Sequence, residues 1–247
     1  MSRTRSSLLP LGLLAVAAGL AGCQTAKEVW PVKLLFPPSG PELFALATDP
    51  NDPDKRREGI SKLSTSRWAQ KEVYREYYKL ALLQDPDPSV RSVAARALGR
   101  TGDPNYVQPL GYTLKDMDQP NSVRWDAAVA LDNVIDPAAV EPLREHTRPD
   151  VEPSEDIRAS CAHALRHYPR EEVVQTLVAA VGDPAFGVQY QARQSLIAIT
   201  GKDLGDMPED WAPVVGQSPE PPAPAEDKKP WWDWMGVSGR DDDGPGE

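Results

Sequence analysis

Residues 85–110 read "DPDPSVRSVAARALGRTGDPNYVQPL". Their apolar positions Val90, Val93, Ala94, Ala97 and Leu98 recur at intervals of three and four, which places all five side chains on one face of a helix. The pattern returns along the chain. Val90-Arg91, Val123-Arg124 and Ile157-Arg158 each precede a pair of small residues and then a leucine: Ala94-Ala95 to Leu98, Ala127-Ala128 to Leu131, Cys161-Ala162 to Leu165. These copies are spaced by 33 and 34 residues. Val188-Gln189, Ala192 and Leu196 continue the series 31 residues further on, and Arg56, Gly59, Ile60 and Leu63 begin it 35 residues earlier.

The same offsets align what lies downstream, so that Val107, Val140 and Val174 share one slot and Leu110, Leu143 and Leu177 another. The unit is therefore two helices long, and register held across the turn between them means stacked units rather than chance apolar matches. The expectation is an all-α chain: an α-solenoid of about five helical hairpins. Turn residues agree with it. Asp87-Pro88 supplies a cap and a first helical residue, and Ser154 followed by Glu155 and Asp156 is expected to do the same in the fourth unit. Gly99 and Gly102 are expected to break the first helix of their unit, and Asp103-Pro104 and Asp136-Pro137 to start second helices.

The recurring "D-x-x-V-R-x-x-A-A-x-A-L" resembles HEAT repeats, most closely the short bacterial HEAT-like type named after phycobilisome lyases, over about residues 49–211. The resemblance implies that the aspartate caps the first helix and that the arginine pairs with acidic groups of neighbouring units, a role that falls on Arg56, Arg91, Arg124 and Arg158, with Asp87 as cap. Departures lie at the ends: Lys55 stands in an apolar slot, Gln189 replaces the arginine, and Asp183-Pro184 comes two positions early. Terminal units are expected to be atypical because one face meets solvent. The stretch "ITGKDLGDMPEDW", residues 199–211, resembles the closing segment of such proteins, with Trp211 as a lid. Thr200-Gly201-Lys202 is not a phosphate loop, since the glycine that motif needs five residues earlier is Leu196.

Residues 1–22 carry a basic start, Arg3 and Arg5, then an apolar run too short to span a bilayer. Leu20-Ala21-Gly22-Cys23 resembles the lipobox of bacterial lipoproteins, which implies cleavage before Cys23, a diacylglyceryl group on its sulfur and an acylated amino terminus. Gln24, where an inner-membrane retention signal would be Asp, favours the outer membrane, facing the periplasm. Four regions follow: signal peptide 1–22, lipid-anchored linker 23–48, solenoid 49–212, and a Pro-rich tail 213–247 expected to be disordered. Trp30, Leu34, Leu35 and Phe36 in the linker are expected to pack on the first unit rather than rest on the membrane, and Leu43–Ala47 to form a short helix. In the tail, Trp231, Trp232 and Trp234 need a surface, and the solenoid's own groove, a protein partner and the membrane interface all remain open.

A net charge of −10 excludes a broad phosphate-binding field, so nucleic acid and anionic headgroups are not expected partners. The two cysteines do not suggest a disulfide, because Cys23 is assigned to lipid and Cys161 occupies the small buried slot of Ala94 and Ala127. His163 and His167 stand four apart on one helix without a third ligand at suitable spacing, so no metal and no cofactor is expected. No nucleophile elbow or phosphate loop occurs. These features point to a non-catalytic, membrane-anchored scaffold or adaptor that holds a protein partner on the outward residues of its second helices, Gln108, Glu141, Arg144 and Gln175. The alternative is an accessory subunit or lyase-like factor acting on a chromophore or an enzyme.

Overall fold

A computed structural model describes residues 38–216. Ten α-helices follow one another: α1 (Gly40–Ala47), α2 (Pro53–Ser64), α3 (Glu72–Gln84), α4 (Pro88–Gly99), α5 (Val107–Lys115), α6 (Asn121–Asn133), α7 (Val140–Glu145), α8 (Glu155–Ala164), α9 (Glu171–Val181) and α10 (Phe186–Thr200). Short 3-10 turns lead into α5 and α7, extend α8, and close the described chain at Pro208–Val214. No strand occurs among the described residues, and the helices form the expected solenoid. The linker apolar residues Trp30 and Leu34–Phe36, the anchor Cys23 and the tail tryptophans lie outside the described residues.

The first helices α2, α4, α6, α8 and α10 stack in chain order as one layer. The second helices α3, α5, α7 and α9 form the other layer, and each of them lies closest to the first helix of the following unit. The motif slots explain the first layer. Gly59, Ala94, Ala127, Cys161 and Ala192 are all buried, as are Leu63, Leu98, Leu131, Leu165 and Leu196, so one continuous apolar seam runs between the units. Small residues in the seam let backbones approach, and the approach is closest where the residue is glycine: a Cβ at Gly59 would lie 2.2 Å from Ala47 N.

Helix α4 ends at Gly99, its buried last residue, where an added Cβ would sit 2.8 Å from Ala130 Cα on α6. The chain turns at Gly102, whose φ of +63° is a left-handed conformation that other residues adopt only at a cost. Asp87 caps α4 by accepting the Ser89 backbone N–H at 2.8 Å, and Asp103 and Asp136 cap their 3-10 turns through Asn105 and Ala138. Ser154 occupies the cap position of α8 without a side-chain cap bond. Its own N–H instead donates to Glu152 Oε1 at 2.9 Å, so the carboxylate two residues back orders that turn.

The far end is closed by the last 3-10 turn, which packs on α9. Trp211 is fully buried there and donates its indole N–H to Gly205 O at 3.1 Å. The ring thus covers the apolar edge that a further unit would otherwise seal.

Candidate functional site

Four arginines on the first helices form a ladder from unit to unit. Arg56 on α2 donates Nε and Nη2 to the two carboxylate oxygens of Asp85 at 2.8 and 2.9 Å, and Nη1 to Asp49 O. Arg91 on α4 donates to Asp85 O, to Pro86 O and, at 2.9 Å, to Gln119 Oε1. Arg124 on α6 donates to Leu114 O and to the carboxylate of Glu152. Arg158 on α8 donates to Glu152 O, to Pro153 O and to both oxygens of Asp183. Arg56, Arg91 and Arg158 clamp the turn that precedes their own helix, Arg124 holds Leu114 O near the end of α5, and each of the four reaches the turn before the next unit's first helix. Planar five-donor geometry suits that double grip, which a lysine could not reproduce. Gln189 takes the last slot and makes only the inner contact, Nε2 to Asp183 O at 2.6 Å, where no further unit follows among the described residues.

The acceptors were not singled out from sequence, although Asp85, Gln119, Glu152 and Asp183 recur at 34, 33 and 31 residues, close to the repeat period. Gln119 makes one rung neutral. Glu152 is completely buried and also faces His146 Nδ1 at 3.3 Å. Burial, with help from Arg124, holds the His146 pKa below its ordinary value, so the imidazole is neutral in the folded state at pH 7. Burial pushes the Cys161 thiol pKa far up, which removes any nucleophilic thiolate. These groups hold the fold together.

Two concavities open on the outer surfaces. One, of about 240 Å³, lies across α6, α8 and α10 on the first-helix layer and is lined by Val129, Asp132, Ala159, Ser160, His163 and Gln191. His163 and His167 both turn toward Asp132, His167 Nε2 at 3.1 Å, and Arg166 Nη1 meets the same carboxylate at 2.8 Å. That carboxylate is spent on Arg166 and the two imidazoles of the protein itself. Among the described residues no group of His, Cys, Asp or Glu is arranged to hold a metal ion.

The larger concavity, about 480 Å³, lies on the second-helix layer between α5 and α7. Val107, Gly111, Ala138 and Pro142 make its apolar floor; Gln108, Lys115, Asp116 and Glu141 make its polar rim. It exists because α7 is one and a half turns long, flanked by longer helices, and because Gly111 and Ala138 bring no bulk. Tyr112 stands at its wall with 66% of its surface exposed. Lys115 pairs across the gap with Glu145 at 3.2 Å. Of the four residues named from sequence, Gln108 and Glu141 meet at this rim. Arg144 is half-buried and donates Nε to Thr176 Oγ1 on α9 at 3.0 Å, which makes it a tie between units as well as a surface group. Gln175 is exposed on α9, outside the groove, and donates to Glu171 Oε1. No described helix is long and apolar enough to cross a membrane.

A family model for HEAT repeats matches residues 79–153, from α3 to the turn before α8. The repeats are HEAT-like. None of the curated proteins compared with the chain matches it. Among solved structures, the complex of CpcE and CpcF of phycocyanin lyase from Nostoc sp. PCC7120 is similar at 19% identity and a TM-score of 0.57, over 67% of this chain and 66% of that one. The chain thus spans just under two thirds of that structure, and the likeness is one of fold. Human deoxyhypusine hydroxylase in complex with glycerol aligns at 17% identity and a TM-score of 0.24, over 65% of this chain and 85% of that one.

Proposed function

We propose that the chain is an accessory subunit of the bacterial envelope, anchored through lipid on Cys23, which holds a protein partner on its second-helix layer. One observation carries this reading: an apolar-floored, polar-rimmed groove with an exposed tyrosine sits on that layer, while the ionic groups elsewhere are consumed in holding units together. Such a composition suits a protein interface, whose centre is apolar and aromatic and whose edge is polar. An open groove on a solenoid face suits the holding of a protein partner, and binding is the contribution this reading assigns to it. The lipid anchor, an outer-membrane location facing the periplasm, and the absence of nucleic-acid partners belong to the same reading and rest on the sequence.

A second reading, a lyase-like factor acting on a chromophore-bearing protein, is supported by the fold shared with the CpcE–CpcF complex. It too requires a protein partner on the solenoid. Export through a signal peptide would separate the chain from pigment assembly in the cytoplasm, which favours the accessory role.

The test is affinity capture of the full chain from native membranes beside a Gln108→Arg/Glu141→Arg/Gln175→Arg variant, with mass spectrometry of both the bait and the captured proteins. A stoichiometric partner lost in the variant, and an acylated peptide beginning at Cys23, are the expected results. A partner retained by the variant would move the interface elsewhere, and absorbance in the visible on the captured complex would favour the lyase-like role.

A further inference from the structure

We propose that the groove between α5 and α7 is the seat of the chain's own tryptophan segment, residues 230–235, which the partner must displace; the inference rests on the reading of the second-helix layer as the partner-binding surface. The first ground is where the described chain ends. Its last 3-10 turn packs on α9, with Pro208 Cγ 3.2 Å from the Cβ position of Gly182, so the tail departs from the second-helix layer itself. The second ground is reach. Fourteen residues lie between Gly216 and Trp231, and a chain of that length with prolines 219, 221, 222 and 224 reaches about 45 Å at the ~3.1 Å per residue of an extended Pro-rich linker. From the last turn to α7 there are two helix-to-helix steps of about 8–10 Å each, so the segment spans the distance with slack.

The third ground is chemistry. Trp231, Trp232, Trp234 and Met235 are apolar surface in search of cover, and the groove offers Val107, Gly111, Ala138 and Pro142 beneath the exposed ring of Tyr112. Glu226, Asp227, Lys228, Lys229 and Pro230 precede the tryptophans, so the approach carries no net charge and the apolar side chains supply the match. The volume of about 480 Å³ is that of a ligand pocket and admits aromatic side chains. Docked there, the segment competes for Gln108 and Glu141, so partner binding is regulated by release of the tail.

The experiment places a photo-crosslinker at the groove, Tyr112→p-benzoyl-phenylalanine, in the full chain, with a control at Phe186, which is 78% exposed on the first-helix layer. Equal parts of isotopically heavy and light protein are mixed, irradiated without lipid, and digested for mass spectrometry. The expected product joins position 112 to a peptide spanning 230–235 within one chain, is lost in Trp231→Ala/Trp232→Ala/Trp234→Ala, and is lost when Gly111→Leu fills the floor. Gly111 tolerates a side chain, since its Cβ would lie 3.5 Å from Pro142 Cγ, an ordinary contact. Ala138→Leu serves the same purpose should that variant lose its helical signal. Absence of the tail product, equal yield from position 186, or products joining heavy to light chains would each overturn the inference. Partner capture is read separately: a tail crosslink without a captured partner sinks the functional reading alone, and a captured partner without the crosslink sinks this one alone.

Discussion

Arg158 and Asp183 form a buried two-pronged ion pair, Nε to Oδ2 and Nη2 to Oδ1 both at 2.9 Å, between α8 and the turn that starts α10. Asp183 Oδ1 also accepts the Ala185 N–H at 2.8 Å, so one carboxylate fixes both the stack and the start of the last helix. Arg158→Ala would leave that carboxylate buried and unpaired, and breaking such a pair costs about 3–5 kcal/mol. Arg91→Ala removes a rung whose side-chain acceptor is the neutral Gln119, and about 1–2 kcal/mol is expected. Urea unfolding of both variants checks the order; a larger loss at Arg91 would show that the ladder is not what joins the units.

The glycines of the seam predict opposite outcomes for the same substitution. Gly59→Ala drives a Cβ to within 2.2 Å of Ala47 N and 2.6 Å of Ala47 Cα, both backbone atoms, so α1 must move away from α2. Overpacking against backbone costs about 1–3 kcal/mol or more. Gly111→Ala meets only Pro142 at ordinary distance and adds helix propensity worth about 0.5–1 kcal/mol. Thermal melts should move down for the first and up for the second.

The repeat, its caps and the donors of the ladder are legible in the sequence, because a hydrophobic period marks the first helices and three of the four arginines follow a valine or isoleucine, Lys55 preceding the other. The acceptors are harder to see. Asp85, Gln119, Glu152 and Asp183 differ in side chain and sit five or six residues before the arginine slot, inside turns where no apolar period fixes the count. Gly99 hides a second part for a related reason: a glycine both ends helices and admits close neighbours, and only the position of Ala130 on the next helix reveals the latter. The groove between α5 and α7 depends on the shortness of α7, and the sequence hides that in Val140–Glu145, whose spacing matches its longer counterparts. Gln108 and Glu141 were nevertheless reached through the repeat register alone.

Stability should fall with acid through the window set by His146. The imidazole is buried, faces Glu152 and Arg124, and has Glu145 and Lys115 nearby, and burial lowers its pKa below the ordinary 6.5. An unfolded chain therefore binds a proton near pH 6.5 that the folded chain refuses, so stability is full above that pH and declines as the pH drops toward the folded value. His146→Gln removes this proton while keeping a donor for Glu152. Urea midpoints measured between pH 7.5 and 5 should slope less in the variant, and parallel slopes would dismiss the histidine as their source.

Trp211 is the largest fully buried side chain among the described residues and closes the stack. It is fully buried in a segment that packs on α9, and its removal leaves a cavity where the apolar edge of the final unit was sealed. Truncating a buried tryptophan to alanine costs about 3–5 kcal/mol in a cooperative domain. In a solenoid each unit leans mainly on its neighbours, so the loss should be felt locally first. Hydrogen exchange of Trp211→Ala should accelerate in α9 and α10 and leave α4 and α6 close to wild type. Uniform acceleration from α2 to α10 would mean that the units unfold as one body, and that the tryptophan closes the whole stack rather than its last step.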